Sequence, residues 1–233
     1  MDSNPWKGEM FLVGLILASL NLSHVTTTDI NDQYECGKRI EKYGPTVWNG
    51  NEARPHEYPW MVFVFRFDIE TQKMSHLCGG SLIHPKFILT AAHCIARGDI
   101  ENTLVIIGSH NVTKSWRQLD YKLLSNIYFH PYYDTKANQD EEFKNAQDIA
   151  ILELEDSLEF GPKINAICLP KESDVEEQVQ YENKNAIVAG WGTKGYNVTG
   201  APVISAEELM EASVSTKNNT WCQKKLSFIK KYV

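Results

Sequence analysis

The stretch that decides the fold is Cys78-Gly-Gly-Ser-Leu-Ile-His-Pro-Lys-Phe-Ile-Leu-Thr-Ala-Ala-His-Cys94. Its two apolar runs, His76 to Ile83 and Phe87 to Thr90, are separated by turn residues and predict two β-strands. A disulfide between Cys78 and Cys94 would close a loop of about 17 residues, worth about 3 kcal/mol in the chain-entropy model. His93 stands at the end of that loop, and an imidazole held rigidly is what a general base requires.

The rest of the chain from about Val47 onward also consists of short β-rich runs, the pattern of a sandwich or barrel. Nearly every position from Met61 to Phe67 is apolar, which predicts a strand covered on both faces. A short helix is predicted to begin at Asn218 or Asn219, because asparagine is a favourable N-cap. The remaining predicted strands are Trp60 to Phe67, Leu104 to Ser109, Leu119 to Phe129, Ile149 to Leu154, Ala186 to Trp191 and Leu209 to Ser215.

The N-terminal region predicts secretion. Met10 to Leu20 is an apolar run of 11 residues, too short for the roughly 20 positions of a membrane span but of the length found in signal peptides. A signal anchor is the alternative. In an oxidising compartment the five cysteines are disulfide candidates first, and their spacing matches no zinc site, so no metal is expected.

Two further sequence features limit the partners and modifications. The formal net charge of −7 argues against a nucleic-acid partner, which would require clustered Lys and Arg. Three Asn-x-Thr motifs are glycosylation acceptors expected on surface loops of a secreted protein, and they begin at Asn111, Asn197 and Asn218.

A second motif, Asp148-Ile-Ala-Ile-Leu152, places an acid after the histidine motif in the order used by one form of the Ser-His-Asp triad. No serine of the 233 residues lies in a Gly-Asp-Ser-Gly-Gly or Gly-x-Ser-x-Gly context. Ser81, Ser213 and Ser215 are poor replacements, because they are predicted within strands and have no strained turn to expose the hydroxyl. The sequence therefore supplies a base and an acid but no nucleophile.

Several segments together carry a family resemblance from about Cys36 to Cys222. The chain resembles the chymotrypsin/trypsin-like serine proteases, and each segment stands in family order. The resemblance implies an all-β fold of two antiparallel β-barrels with the active site between them. The carrying segments are Asn49 to Ala53, Tyr58-Pro59-Trp60, Cys78 to Ile83, Leu89 to Cys94, Asp148 to Leu152, Ile167 to Pro170 and Ala189 to Gly192.

The resemblance also implies residue roles. His93 corresponds to the base that takes the proton of the nucleophile, and Asp148 to the buried acid that orients its imidazole. Cys78–Cys94 corresponds to the histidine-loop disulfide, and Cys36–Cys168 to the disulfide that joins a propeptide to the first barrel. Cys222 corresponds to a cysteine whose mate lies further downstream. No cofactor is implied.

The apolar run and the resemblance together predict four parts of the chain. Residues 1–23 are expected to be a signal peptide, 24–46 a propeptide-like segment, and 47–170 a complete first barrel. Residues 171–233 are a linker and part of a second barrel with one short C-terminal helix. On this division the second barrel is incomplete, since Val233 precedes the family segment that carries the nucleophile and the oxyanion hole.

The chain departs from the family at three positions. Thr46 stands where zymogens carry a cleavable basic residue, while Lys38-Arg39-Ile40 could be cut but lies seven residues earlier. Gly108 to Asn111 lacks the glutamate of calcium-binding members, so no calcium site is expected. Ala186 replaces a cysteine found in many relatives.

The resulting expectation is a secreted, trypsin-like serine endopeptidase domain that acts on protein or peptide substrates or meets protein inhibitors. As 233 residues without a nucleophile it is expected to be inactive by itself. The alternative is a non-catalytic homologue that binds a protein partner or inhibitor.

Overall fold

We analysed a computed structural model of the chain. It describes residues 35–39, 51–95, 100–113, 120–131, 133, 147–170, 182–192, 206–218, 220–222 and 224–225. The predicted signal peptide and most of the propeptide-like segment therefore lie outside the described residues. These residues contain ten strands: β1 (Asn51–Glu52), β2 (Met61–Asp68), β3 (Lys73–His84), β4 (Phe87–Thr90), β5 (Thr103–Ile107), β6 (Tyr121–Lys122), β7 (Leu124–Phe129), β8 (Ala150–Leu154), β9 (Asn185–Gly190) and β10 (Met210–Ser215).

The larger sheet is a nearly closed barrel of seven antiparallel strands in the order β6-β5-β2-β3-β4-β8-β7. Its two edge strands, β6 and β7, are consecutive in the chain and are separated by Leu123 alone. The two edges of the sheet therefore approach each other at one residue, which limits the exposure of edge hydrogen-bonding groups. This arrangement confirms the all-β class and the prediction of a first barrel.

The core of this barrel is centred on β2, which pairs with β3 on one side and β5 on the other. Val62, Phe63, Val64 and Phe65 are all buried, as expected for a strand covered on both faces. Phe63 packs edge-on against the ring of Trp191, with ring centroids 5.6 Å apart. Apolar burial on both sides of β2 thus joins the barrel to the chain that follows β9.

Glycine at position 80 allows β3 and β4 to pack closely. A Cβ built on Gly80 would lie 2.9 Å from Cγ2 of Ile88 and 3.1 Å from the carbonyl oxygen of Leu89. At the neighbouring Gly79 the nearest atom to a built Cβ is 3.8 Å away. The close approach that brings β4 to its place in the barrel therefore depends on Gly80.

Within the described residues, the second sheet has three strands in the order β1-β10-β9 and is open. The sequence predicts only two strands here, because the two residues of β1 are too few to show an alternating pattern. Asn51 and Glu52 pair with Glu211 and Met210, so this stretch joins the second sheet although the sequence division placed it in the first barrel. Ile187, Val188 and Val214 are exposed on this sheet.

Most predicted strands match the structure to within one or two residues at each end, and two differ by more. The predicted strand from Leu119 to Phe129 is divided at Leu123, and residue 119 lies outside the described residues. β3 begins at Lys73 rather than His76, because its polar first residues pair with the end of β2, where Lys73 lies opposite Asp68. Cross-strand pairing extends the strand beyond its apolar run.

The loop after β5 connects the barrel to the second sheet. The carbonyl oxygen of His110 accepts hydrogen bonds from the backbone N–H of Leu209 and from Nε1 of Trp191, each at 3.0 Å. The backbone N–H of Val112 donates to the carbonyl oxygen of Glu207 at 3.0 Å. These bonds to backbone groups hold the second sheet against the barrel.

Residues 220–222 and 224–225 are helical, in agreement with the predicted C-terminal helix. Of the two possible N-caps, Asn218 takes the role, because its Oδ1 accepts a hydrogen bond from the backbone N–H of Trp221 at 2.7 Å. Within the described ranges, no helix has the length and apolar character needed to cross a bilayer.

Candidate active site

His93 is placed by the turn that follows β4. Ala92–Cys94 form a 3-10 turn in which Ala92 and Cys94 are buried and His93 is exposed. Cys94 forms a disulfide with Cys78 on β3. At the end of β4 the hydroxyl of Thr90 donates to the carbonyl oxygen of Gly79 at 2.9 Å. Both neighbours of the histidine are anchored, so the backbone that carries the imidazole is fixed.

Asp148 reaches the same edge of the barrel through strand pairing. β8 is antiparallel to β4, and Thr90 at the end of β4 lies opposite Ala150 at the start of β8. A residue just before β8 is therefore close to the turn just after β4. Gln147 has a left-handed φ of 59°, and the carbonyl oxygen of Ile149 accepts a hydrogen bond from the backbone N–H of His130 at 3.1 Å. The hydrogen bond to Ile149 fixes the chain directly after Asp148.

The Asp148 carboxylate contacts both the imidazole and the backbone of His93. Nδ1 of His93 lies 2.6 Å from Oδ2 of Asp148, and the backbone N–H of His93 donates to Oδ1 at 2.8 Å. We assign the imidazole proton to Nδ1, because an ionised carboxylate can only accept hydrogen bonds. This tautomer leaves Nε2 as the proton acceptor, which is the state that a general base requires.

The imidazole and the carboxylate differ in solvent exposure. The His93 side chain is 56% exposed, whereas that of Asp148 is 19% exposed. Behind them, Ala92 and Ala150 pack with the buried Tyr133, whose ring stacks on Phe129 at a centroid distance of 6.2 Å. The site therefore has an accessible proton acceptor and a shielded orienting acid. Sequence reasoning missed Tyr133, since its only signal is an aromatic residue shortly after β7.

A metal role for the histidine loop does not fit its chemistry. Among the described residues, Cys78, His93 and Cys94 form one group whose ligand atoms lie within 4.8 Å of one another. The two sulfur atoms are joined in a disulfide, and it is the thiolate that binds metals. Nε2 of His93 lies 3.6 Å from Sγ of Cys94, so the disulfide packs against the imidazole instead.

The three serines considered as replacement nucleophiles all lie in strands. Ser81 is paired in β3 opposite Met61 and Leu89. Ser213 and Ser215 are exposed in β10, where they pair with Ile187 and Asn185 of the second sheet. A strand position offers no sharp turn that would present the hydroxyl to His93.

All five cysteines lie within the described residues. Disulfides join Cys36 to Cys168 and Cys78 to Cys94, the pairs that the resemblance implies. Cys222 is a free cysteine of intermediate exposure. The first disulfide fastens the segment before β1 to the chain that follows β8.

The glycosylation motifs occupy different surroundings. Asn111 donates from Nδ2 to Glu208 at 2.9 Å, and its Oδ1 accepts from the hydroxyl of Thr113 at 2.9 Å. Asn218 caps the helix with Oδ1, while its Nδ2 donates to Glu182 at 3.2 Å. Asn197 lies outside the described residues.

Comparison with known proteins identifies the family. The model of the trypsin family matches residues 47–232. The chain is 26% identical to ovochymase-2 of Mus musculus over 233 residues, which cover 92% of this chain and 35% of that protein. It is 31% identical to melanization protease 1 of Drosophila melanogaster over 188 residues, which cover 74% of this chain and 44% of that protein.

The chain thus spans less than half of the length of these two relatives. The family match covers the barrel, the second sheet and both halves of the His93–Asp148 contact. The chain belongs to the trypsin family.

Proposed function

We propose that this chain supplies the first barrel and the base–acid pair of the peptidase domain of a secreted, trypsin-like serine endopeptidase, with His93 as the general base and Asp148 as the acid that orients it. The observation that carries the proposal is the bidentate contact of Asp148, at 2.6 Å to Nδ1 and 2.8 Å to the backbone N–H of His93. A protein that only binds a partner has no chemical need for this contact. The substrates are proteins or peptides, as for the trypsin family generally.

In this proposal each residue has one task in the reaction. Nε2 of His93 takes the proton of a serine hydroxyl as the oxygen attacks the scissile carbonyl, and it later returns that proton to the leaving amine. Asp148 holds the proton on Nδ1 and stabilises the imidazolium that forms. The disulfide to Cys94 and the buried Ala92 keep the imidazole in place.

The nucleophile and the oxyanion donors are not supplied by these residues. The 233-residue sequence contains no Gly-Asp-Ser-Gly-Gly segment, and the described serines of β3 and β10 lie in strands. A polypeptide of these 233 residues alone should therefore hydrolyse no peptide bond. A fluorophosphonate probe should leave all of its serines unlabelled, and stoichiometric labelling of one serine would refute this part of the proposal.

The role of the pair is tested in a chimera. The segment after Cys222 is replaced by the corresponding segment of an active trypsin-family enzyme, which supplies the serine and the oxyanion hole. We expect peptide hydrolysis by this chimera, and Asp148→Asn should lower kcat by about 10⁴-fold because the imidazole adopts the wrong tautomer. Ser213→Ala is the control and should leave kcat unchanged. Equal activity of the Asp148→Asn and parent chimeras would contradict the assigned roles.

Secretion is part of the same proposal. It is supported by the apolar run from Met10 to Leu20 and by two disulfides, which persist in oxidising compartments. Asn111, Asn197 and Asn218 are the glycan acceptors under this proposal. Expression in a secretory host followed by peptide mapping of the culture medium tests both points.

A further inference from the structure

The segment before β1 is fastened along the chain that follows β8. Its backbone is held by the Cys36–Cys168 disulfide and by a hydrogen bond from the N–H of Gly37 to the carbonyl oxygen of Ala166 at 2.8 Å. Nδ2 of Asn165 donates to the carbonyl oxygen of Glu35 at 3.0 Å. This segment carries the adjacent basic residues Lys38 and Arg39, which the proposed function does not use.

Arg39 contacts Glu57 and Tyr58, and Tyr58 in turn contacts Glu211; we call these three residues the Arg39 clamp. The guanidinium forms an ion pair with Glu57, whose side chain is only 13% exposed. The same guanidinium stacks over the ring of Tyr58, with Cζ 4.8 Å from the ring centroid. The hydroxyl of Tyr58 donates in turn to Glu211 on β10. The clamp therefore joins the N-terminal segment to the barrel and to the second sheet.

The neighbouring Lys38 has no buried partner in its ion pair. Its side chain is 63% exposed, and its partner Glu35, three residues earlier, is 81% exposed. Ion pairs between exposed side chains of this kind contribute little to stability and open readily. Arg39, by contrast, would leave a largely buried carboxylate and an aromatic face without its cation if it moved. The Arg39 side chain is itself 37% exposed, so the two adjacent basic side chains differ more in the burial of their partners than in their own exposure.

This difference matters for proteases that cut after basic residues, because such an enzyme must take the basic side chain into its own pocket. We propose that, in the folded protein, a protease of this specificity cuts the segment after Lys38 and not after Arg39, because the clamp withholds the arginine. In the cut, water adds across the Lys38–Arg39 peptide bond and leaves a carboxylate on Lys38 and an amine on Arg39. The Cys36–Cys168 disulfide keeps the severed segment attached.

The cleaving enzyme here is another protease, so the inference does not depend on the proposed activity of this chain. It does depend on the clamp. If the partner of Arg39 were exposed, the arginine side chain would enter the protease pocket as easily as the lysine beside it. The two cuts would then occur in the proportion seen in an unstructured peptide.

Limited trypsin digestion of the folded, disulfide-intact chain tests the proposal. The new N-termini at Arg39 and Ile40 are counted by mass spectrometry, and their ratio is compared with the ratio for a synthetic peptide of residues 34–42. Counting both cuts in the same sample makes the ratio independent of the overall rate of digestion. We expect the ratio of cuts after Lys38 to cuts after Arg39 to be at least about tenfold higher in the folded chain than in the peptide. A factor of ten is the scale of the free energy of one charge-assisted hydrogen bond.

Matched variants identify the clamp as the cause. Glu57→Gln removes the largely buried partner of Arg39, and the ratio should return toward that of the peptide. Glu35→Gln removes the exposed partner of Lys38 and should leave the ratio unchanged. Equal ratios in the folded chain and the peptide would overturn the proposal. So would no cleavage at either bond, since the backbone rather than the clamp would then give the protection.

A second measurement needs no variant and covers the case in which Glu57→Gln does not fold. An arginine-specific dicarbonyl reagent is applied to the native chain, and modification of Arg39 is compared with that of the exposed Arg54 and Arg66. Arg39 should react at least about tenfold more slowly in the folded protein and equally in denaturant. Equal rates in the folded protein would overturn the proposal.

Discussion

At the scale of single residues, the site depends on how closely β3 and β4 can pack. His93 follows β4, and β4 reaches its place only because Gly80 has no side chain. A Cβ at this position would lie 2.9 Å from Cγ2 of Ile88 and 3.1 Å from a backbone oxygen of Leu89. The backbone oxygen cannot rotate away as a side chain can, so the strands would have to separate.

We therefore expect Gly80→Ala to lower the free energy of unfolding by about 1–3 kcal/mol, the usual cost of overpacking. Gly79→Ala is the matched control, since the nearest atom to its Cβ would be 3.8 Å away. This control should be neutral or stabilising by about 0.5 kcal/mol, because alanine loses less entropy than glycine on folding. Urea denaturation of both variants measures the difference, and equal losses of stability would contradict this account of the packing.

At the scale of elements, β3 ends at a histidine, His84, directly before the turn to β4. Nδ1 of His84 accepts a hydrogen bond from the backbone N–H of Lys86 at 3.2 Å, and its ring packs on Phe87. Burial lowers the pKa of His84 below its usual value. Burial likewise lowers the pKa of His130, which is 1% exposed beside the Asp148 turn.

The sign of the pH effect follows from these shifts. The unfolded chain binds more protons than the folded chain between the lowered pKa and the ordinary value of about 6.5, so stability rises with pH in that window. The melting temperature should therefore be lower at about pH 5.5 than at about pH 7.5. His84→Gln should reduce the difference between the two melting temperatures. The carboxylates and the other histidines contribute equally to the pH dependence of the parent chain and of the variant, so the reduction reports on His84. An unchanged difference in thermal denaturation would show that the turn is insensitive to protonation.

The elements also show which features could be predicted from sequence. β4 and β8 are strands of four and five residues, each with three consecutive apolar residues, so their positions, and with them His93 and Asp148, follow from the pattern and the family motifs. β1 has two residues and carries no periodic signal. The Arg39 clamp could not be predicted, because its bonds join residues 18 and 153 positions apart and depend on how two sheets meet.

At the scale of the whole molecule, the two sheets differ in how well they are covered. Val62, Val64 and Val105 in the barrel are fully buried, whereas Ile187 and Val188 in the second sheet are 40% and 58% exposed. The second sheet is open, and β9 is one of its edges. Local opening should therefore cost less free energy in β9 than in β2.

Hydrogen exchange of the native chain measures this difference. We expect amides of Val62 to Phe65 to be protected at least about 100-fold more strongly than those of Ile187 and Val188. β10 should be intermediate, since it is paired on both sides by β1 and β9. Equal protection of β2 and β9 would mean that the barrel and the second sheet open as one cooperative unit, contrary to this account.

The central claim is that Asp148 holds a proton on Nδ1 of His93 and so prepares Nε2 to accept another. The most direct measurement is the proton NMR spectrum of the 15N-labelled chain. One strongly downfield imidazole N–H signal, from Nδ1 of His93, should be present, and it should vanish in His93→Gln and in Asp148→Asn but persist in His84→Gln. Absence of this signal from the parent chain, or its persistence in Asp148→Asn, would contradict the account.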